Sequence, residues 1–295
     1  MRIVAVQSGP ASDDLEVNLA RTRELILDLP EAPDLVVLPE LFSRPFWCTG
    51  LTDPRFFDWA EDLEGPTLEA MRRVARETSA VLVVPFFERG QLAGEYFNSA
   101  ALIDAQGELI LGVLPNQERV STYRKNAISS FQWDGAVNDE KYYFRPGPGF
   151  PIFESAHGPI GLLICYDRWY PEAWRVLALQ GARIVCVMNA SHGSVSELFV
   201  PSIRICAAQN LLFAVAVNRA GVEVLEGKET EYYGSSCIVD PVGALLAEAG
   251  RATDAGIVAD VDLEDVGRQR VHRTMYRDRR PELYGLISRG GEGGA

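Results

Sequence analysis

Short apolar runs alternate with segments of helical periodicity along most of this 295-residue chain. In the first half, residues 2–7, 35–38 and 81–86 have the composition of buried strands, and residues 15–29 and 67–78 have that of helices. Elements in this order pack as an α/β protein, in which helices cover the faces of a sheet. The alternation therefore predicts the α/β class, and it leaves open whether there is one sheet or two.

The second half of the chain repeats this pattern. Its predicted elements, in chain order, are a strand at 160–164, a helix at 172–180, a strand at 184–188, a helix at about 202–209, and strands at 213–217, 236–239, 245–249 and 257–261. No linker rich in Ser, Gly or Pro separates the two halves. We therefore predict a single domain over residues 1–295.

The middle and the end of the chain are less regular. Residues 97–104 and 108–113 are typical of two antiparallel strands joined by a tight turn, and residues 116–150 form a long aromatic loop of the kind that carries function. Beyond about residue 263 the charge is mixed, and the chain ends in the Gly-rich segment 290–294, which we expect to be frayed.

The formal net charge of −13 argues against nucleic acid or an anionic membrane as a partner, because both require basic surfaces. No apolar run has the length of a membrane span, and a strand pattern starts directly after Met1. The five cysteines are typical of reduced thiols, and the three histidines are far apart, with no CxxC spacing. We expect a cytoplasmic protein that uses no metal or cofactor.

Three separated segments contain residues suited to acyl transfer. The strand 160–164 ends directly at Cys165, at a turn before a helix, where α/β proteins present a nucleophile. Leu38-Pro39-Glu40 closes an earlier strand, and Tyr123-Arg124-Lys125 lies in the aromatic loop. A thiol, a carboxylate and an ammonium together can cleave a carbon–nitrogen bond.

With these residues considered together, the chain resembles the nitrilase superfamily of carbon–nitrogen hydrolases from about Ile3 to Ile287. The matching segments are Leu38-Pro39-Glu40, Tyr123-Arg124-Lys125, residues 140–147, Cys165-Tyr166-Asp167, Val217-Asn218-Arg219 and Gly234-Ser235-Ser236. The resemblance implies a four-layer α-β-β-α sandwich. It also implies homodimers or higher homo-oligomers, with the extension from about residue 263 at the interface.

Within the superfamily, two branches share features with this chain. Residues 171–176 and 284–287 resemble N-carbamoyl-D-amino-acid hydrolases, whereas residues 217–221 and 233–236 resemble N-carbamoylputrescine amidases. One departure is clear: the family often has His two residues after the lysine, and here that residue is Ala127.

The resemblance implies a role for each candidate catalytic residue. Cys165 is the nucleophile and Glu40 the base, while Lys125 and the backbone N–H of Tyr166 stabilise the oxyanion. Glu140 is a second glutamate that holds Lys125. Together the lysine and a carboxylate are expected to favour the thiolate of Cys165.

Each of these residues also has a purely structural interpretation. A free cysteine is most often a small buried hydrophobe. Lys125 follows another basic residue and could lie in a solvated turn, and Glu140 could be a surface acid. The family segments favour the catalytic interpretation of all three.

The candidate substrate-binding residues are Arg168, Trp169 and Asn189. Arg168 could clamp a substrate carboxylate, or it could pair with Glu172 on the following helix. Four other loop aromatics are candidates for either pocket wall or core: Phe46, Trp47, Phe131 and Trp133.

The sequence thus predicts a thiol-dependent hydrolase of a small N-carbamoyl compound or amide. The alternatives are an aliphatic amidase, a nitrilase and, in another class, a catalytically silent interaction module of the same fold. Only a small-molecule substrate and further copies of the chain are expected as partners.

Overall fold

The computed structural model describes residues 1–29, 31–50, 52–133, 136–251 and 254–288. The Gly-rich end at 290–294, where fraying was expected, lies outside these residues. The strands are β1 (Arg2–Gln7), β2 (Leu35–Val37), β3 (Val81–Arg89), β4 (Tyr96–Ile103), β5 (Gly112–Val113), β6 (Arg119–Val120), β7 (Tyr123–Arg124), β8 (Ser130–Trp133), β9 (Ala136–Asp139), β10 (Ile152–Ser155), β11 (Gly158–Ile164), β12 (Ile184–Met188), β13 (Phe213–Val217), β14 (Ala220–Leu225), β15 (Lys228–Tyr233), β16 (Cys237–Val239), β17 (Leu245–Glu248) and β18 (Ala255–Asp260). The α-helices are α1 (Leu15–Leu27), α2 (Pro66–Thr78), α3 (Pro171–Leu179), α4 (Ser196–Asn210) and α5 (Glu264–His272).

The strands form two large mixed sheets. One has six strands in the order β18-β1-β2-β3-β4-β7, and the other has eight in the order β17-β16-β13-β12-β11-β10-β5-β6. Parallel pairing is confined to the centres, β1-β2-β3 in the first sheet and β11-β12-β13 in the second. Two hairpins, β8-β9 and β14-β15, are separate from both sheets.

Side-chain alternation along the central strands defines four layers. In β1, Ile3 and Ala5 belong to the apolar core that includes residues of both sheets, whereas Val4 and Val6 pack with residues of α1 and α2. The second sheet behaves in the same way, because its outward side chains pack against α3 and α4. Strands covered on both faces need apolar residues at successive positions, which explains the unbroken apolar runs. The predicted four-layer α-β-β-α sandwich is confirmed.

This layering brings the candidate residues toward one end of the sandwich. Ser8, just after β1, and Arg219, just after β13, form a parallel bridge, so the central strands of the two sheets end side by side. Glu40 follows β2 in one sheet, and Cys165 follows β11 in the other. The carboxyl ends of parallel strands are the usual location of ligand sites in α/β proteins.

One predicted hairpin is wrong in its second half. Residues 103 and 109 form an antiparallel bridge, and Asp104 N–H donates to Glu108 O at 2.9 Å, as expected after a tight turn. The chain then leaves the first sheet, and β5 pairs with β10 in the second. The alternating pattern cannot show this crossover, because a strand of the same composition suits either sheet.

Further elements differ from the sequence interpretation, and among them are the short strands β6 to β9 within the predicted loop 116–150 and β10 after it. Helix α4 begins at Ser196 and continues through Pro201, whereas a start near residue 202 was expected. The hairpin β14-β15 and the helix α5 were not predicted. Over the described ranges, no helix is both long and apolar enough to cross a membrane.

Candidate active site

The thiol of Cys165 lies at a sharp turn between a strand and a helix. Strand β11 ends at Ile164, a short 3-10 turn covers Cys165–Trp169, and α3 begins at Pro171. Cys165 has φ 47°, in the left-handed region that costs a non-glycine residue about 1–3 kcal/mol. Such strain at a strand-to-helix turn is a known way of projecting a nucleophile away from the sheet.

Lys125 joins the two candidate glutamates. Its Nζ lies 2.9 Å from Glu40 Oε1, and 2.8 and 2.7 Å from Glu140 Oε1 and Oε2. All three side chains have no solvent exposure. This excludes the interpretations of Lys125 as a solvated basic turn and of Glu140 as a surface acid. We call these three residues the Lys125 cluster.

Neutral donors hold both carboxylates in place. Glu40 accepts hydrogen bonds from Asn98 Nδ2 at 2.7 Å and from the backbone N–H of Ala190 at 2.8 Å. Glu140 accepts from Asn138 Nδ2 at 3.2 Å. Buried carboxylates are stable only with such partners.

A close backbone approach holds the lysine loop. The N–H of Gly147 donates to Lys125 O at 2.9 Å, and a Cβ at Gly147 would lie 2.2 Å from Arg124 O. Only glycine fits there, which gives a physical reason for the glycine that ends the segment 140–147.

The electrostatics of the cluster favour a charged lysine. Burial alone would lower the pKa of Lys125, but Glu140 and Glu40 outweigh it and hold that pKa well above its usual value. Burial raises the pKa of Glu140, with a further contribution from Glu40, and Lys125 opposes the change. Two carboxylates thus share one ammonium.

Burial of the Cys165 thiol opposes the expectation that its neighbours favour the thiolate. Burial raises the pKa of Cys165 to about 11, and Glu40 adds to this shift while Lys125 and Arg168 oppose it. Cys165 Sγ lies 3.5 Å from Ser191 Oγ. A base must therefore remove the thiol proton during attack.

A cavity of about 570 Å³ opens at Cys165. Phe131, Trp169 and Arg168 line it, together with the segment 190–195. The residues around it are Ser129, Phe131, Gln132, Asn138, Cys165, Tyr166, Arg168, Trp169, Ala190, Ser191, His192, Gly193, Ser194 and Val195. This volume suits a small molecule.

Four of the five candidate loop aromatics divide between two locations. Trp169 and Phe131 line the cavity, whereas Phe46 and Trp47 are buried in a separate aromatic cluster with Phe56 and Tyr143. The side chain of Trp133 lies outside the described residues.

Arg168 is buried yet only partly hydrogen-bonded. Its side chain is 4% exposed, and Nη1 donates to Cys165 O at 3.3 Å. Nε and Nη2 have no partner in the described part of the chain, and no Arg168–Glu172 ion pair is found there. The guanidinium carbon lies 4.6 Å from the Trp169 ring centroid and 5.1 Å from that of Phe199. The helix-pair alternative is thereby excluded.

Asn189 does not line the cavity. Its Nδ2 donates to Val187 O at 2.9 Å and to Val217 O at 3.0 Å, so it ties the ends of β12 and β13 together. Of the described residues near it, Ala190 and Ser191 line the cavity instead. Asn189 was predicted to bind substrate, but it lies one residue before the cavity wall, because the chain reaches the cavity only at Ala190, after β12 has ended.

Sequence reasoning assigned no role to Asn218, although it lies in one of the family segments. Its Oδ1 accepts from Ser191 N–H at 2.8 Å, and its Nδ2 donates to Ser191 O and Gly234 O, both at 3.1 Å. The side chain thus fixes the serine whose hydroxyl lies beside the thiol. The sequence signal that could have identified Asn218 was the joint presence of Val217-Asn218-Arg219 and Gly234-Ser235-Ser236.

Among the described residues, no three His, Cys, Asp or Glu side chains converge in a way that could hold a metal ion. Tyr166 follows Cys165 in the 3-10 turn and lines the cavity. The role of its backbone N–H stays a prediction.

Known proteins place the chain in a family. The family model for carbon–nitrogen hydrolases matches residues 2–271. The chain is 34% identical to N-carbamoylputrescine amidase of Solanum lycopersicum, over 96% of this chain and 94% of that protein. It is 36% identical to citrullinase of Francisella tularensis subsp. tularensis, over 97% and 98%.

Its fold is also similar to the crystal structure of a carbon–nitrogen hydrolase from Helicobacter pylori G27, with a TM-score of 0.86, 29% identity and coverage of 98% and 99%. The chain therefore belongs to the carbon–nitrogen hydrolase family of the nitrilase superfamily, and it is an enzyme of that family.

Proposed function

We propose that this enzyme hydrolyses the N-carbamoyl group of a small molecule through a thioester on Cys165. The observation that carries the proposal is the Lys125 cluster: one ammonium held by two buried carboxylates, all three acting electrostatically on a thiol that opens into a cavity of about 570 Å³.

The proposed first half-reaction forms the thioester. Glu40 accepts the proton of Cys165 as the sulfur attacks the carbonyl carbon. Lys125 and the backbone N–H of Tyr166 stabilise the negative charge on the carbonyl oxygen. The carbon–nitrogen bond then breaks, and Glu40 returns the proton to the nitrogen that leaves.

In the second half-reaction, Glu40 activates a water molecule that hydrolyses the thioester and regenerates the thiol. Glu140 keeps Lys125 oriented throughout. For an N-carbamoyl substrate the acyl-enzyme is an S-carbamoyl thioester: ammonia leaves as it forms, water releases a carbamic acid from it, and the carbamic acid decomposes spontaneously to the amine and carbon dioxide.

Arg168 favours a substrate that also carries a carboxylate. It is the one ionised side chain among the described residues that line the cavity, and two of its nitrogens lack partners. A buried guanidinium gains most from a bidentate carboxylate. This supports ureido acids over ureido amines, although a relative is an N-carbamoylputrescine amidase.

A product assay tests the proposal. The purified enzyme is incubated with N-carbamoyl amino acids, citrulline, N-carbamoylputrescine, aliphatic amides and a nitrile, and carbon dioxide and ammonia are measured separately. We expect equal amounts of both gases from the best substrate. Ammonia with a carboxylic acid and no carbon dioxide would instead identify a plain amidase.

We also propose that residues 1–295 form one catalytic domain that pairs with a second copy. Leu198 and Ile205 on α4 are each 55% exposed, and Val271 on α5 is 78% exposed. Tyr276 Oη donates to Asn210 O at 2.6 Å, so the extension beyond residue 263 lies next to the end of α4. Adjacent exposed apolar side chains of this kind mark interfaces.

Sedimentation measurements test the pairing. The wild type is expected to sediment as a dimer or larger species, and Ile205→Glu is expected to shift it toward the monomer. Val222→Glu, at an exposed apolar position on the separate hairpin, serves as the control and should leave the assembly unchanged.

A further inference from the structure

Asp167 is a buried carboxylate to which the proposed reaction assigns no step. Its side chain is 1% exposed and accepts four hydrogen bonds. Oδ2 accepts from Tyr123 Oη at 2.6 Å and from Ile164 N–H at 3.0 Å. Oδ1 accepts from the backbone N–H groups of Asn126 at 3.2 Å and Ala127 at 2.7 Å.

These four donors belong to two segments that are distant in sequence. Ile164 is the last residue of β11 and directly precedes Cys165. The other three donors lie at positions 123, 126 and 127, on both sides of Lys125. One carboxylate therefore joins the thiol turn to the lysine loop.

The two segments are otherwise anchored to different sheets. Lys125 N–H donates to Asn98 O at 2.8 Å, and β7 pairs with β4, which attaches the lysine loop to the six-stranded sheet. The thiol turn continues β11 of the eight-stranded sheet. Asp167 thus ties the two sheets together at the place where sulfur and ammonium must meet.

The sulfur is held in a conformation that needs support. Cys165 has φ 47°, and a strained residue persists only when its surroundings over-determine it. The bond from Ile164 N–H to Asp167 closes the turn around Cys165 and fixes it from within.

We propose that Asp167 is a positioning residue that sets the distance between the Cys165 thiol and the Lys125 ammonium. The proposal rests on the proposed function, in which these two groups act on the same carbonyl. A misplacement of about 1 Å in such an arrangement can lower the rate by about 10²-fold.

Asp167→Asn is the direct test. An asparagine amide can be turned in two ways. In either one, its NH₂ group faces at least one backbone N–H that donated to the carboxylate, so either the thiol turn or the lysine loop loses its backbone hydrogen bond to residue 167. We expect kcat to fall by about 10²-fold while KM changes by less than threefold. A loss of stability alone would lower the amount of active enzyme, and active-site titration of the remaining thiol corrects for this.

A second measurement does not depend on turnover. Lys125 lowers the pKa of Cys165, so a lysine that has moved away raises it further. The midpoint of the pH dependence of Cys165 alkylation by iodoacetamide should therefore move to higher pH in Asp167→Asn. An unchanged midpoint together with an unchanged kcat per titrated thiol would overturn the proposal.

Two further variants complete the design. Tyr123→Phe removes one of the four donors and should lower kcat by roughly tenfold, as expected for one hydrogen bond to a charged group. If Asp167→Asn does not fold, this variant decides: a wild-type kcat would overturn the proposal. Asp240→Asn is the matched control, because Asp240 accepts from Val242 N–H at 2.9 Å and Ala244 N–H at 2.7 Å in a turn far along the chain.

Asp240→Asn should lose some stability and keep both kcat and the alkylation midpoint. Failure of the proposed function would look different. In that case wild-type enzyme would release no ammonia from any substrate of the panel. The shift in alkylation midpoint in Asp167→Asn would still show that Asp167 holds the lysine loop against the thiol turn.

Discussion

Two buried charged clusters meet at Glu40, and they have different uses. Within the Lys125 cluster, the lysine contacts the carboxylate of Glu40, whereas Arg219 contacts the backbone carbonyl of Glu40, with Nε 3.0 Å from Glu40 O. Arg219 also pairs with Glu223 at 2.8 Å, and both are nearly unexposed. We call Arg219 and Glu223 the Arg219 clamp.

Every charge of the Arg219 clamp is matched within the protein. Arg219 Nη2 donates to the carbonyls of Leu41 and Arg44, and Glu223 accepts from the backbone N–H groups of Phe46 and Ala11. The clamp therefore fixes the loop after β2 and has no free capacity for chemistry.

The Lys125 cluster is unbalanced by comparison. Two carboxylates share one ammonium, and they act electrostatically on the Cys165 thiol, whose pKa burial raises and which lines a cavity. The comparison teaches that burial and ion pairing do not by themselves define an active site. In the proposed function, the distinguishing feature is an unmatched charge beside a thiol that opens into a cavity.

Removing the sulfur should have the largest effect. Cys165→Ala is expected to lower kcat by at least about 10⁴-fold, because no other group can form the thioester. Turnover and thermal unfolding are measured together, and the fold should remain intact. Cys186→Ala, at a fully buried core thiol, is the control: it should lose about 1 kcal/mol of stability and keep its activity. Substantial turnover by Cys165→Ala would remove the basis for a thiol mechanism.

Lys125→Met should have the second-largest effect on kcat. Loss of the cation beside the oxyanion is expected to lower kcat by about 10²–10³-fold, as for other oxyanion donors. Steady-state kinetics per folded molecule measure it. If kcat fell less than tenfold, the ammonium would have a structural role like that of the Arg219 clamp.

Arg219→Met and Lys125→Met both break a buried ion pair and should both lose stability, but only Lys125→Met should also lose most of its kcat. Breaking a buried ion pair leaves Glu223 unpaired and is expected to reduce the free energy of unfolding by about 3–5 kcal/mol. The kcat of the folded fraction should change much less than in Lys125→Met. Chemical denaturation and kinetics on the same preparations test this. Equal losses of kcat in the two variants would contradict the distinction between the clusters.

The pH dependence of thiol alkylation tests the resting state of the nucleophile. With the pKa of Cys165 raised from 9.0 to about 11, the thiolate fraction at pH 8 should be roughly 100-fold lower than for an ordinary thiol. The alkylation rate should therefore keep rising with pH up to about 11. A plateau reached by pH 8 would show a resting thiolate paired with Lys125.

Arg168→Gln should have the smallest effect, and only on some substrates. Losing a buried charge-assisted contact is expected to raise KM by about tenfold or more for substrates with a carboxylate and to leave ureido amines unchanged. Glu172→Gln is the matched control, because the two residues do not pair, and it should leave KM unchanged. An equal rise in KM for both substrate classes would show that Arg168 does not bind a substrate carboxylate.

Much of the fold followed from the sequence because its signals are local. The strands β1, β12 and β13 have the predicted bounds, and α2 matches to within one residue. Each is a run of apolar or amphipathic residues whose period depends only on neighbours a few positions away. The strand-to-helix turn at Cys165 was local in the same sense.

The assembly of the site depends on contacts that no local period encodes. Lys125 and Glu40 are separated by 85 positions, and they follow β7 and β2, which are not neighbours in the six-stranded sheet. The four bonds of Asp167 depend on the stacking of the two sheets. The burial of Glu140 depends likewise on residues that are distant in the sequence. Likewise, the crossing of β5 to the second sheet was decided by packing.

The sequence by itself thus determined which elements present the candidate catalytic residues, because strand and helix periods are short-range. The tertiary structure alone decided which charges are left unmatched, because the dielectric and the hydrogen-bond partners of a buried group depend on residues that are far apart in the chain.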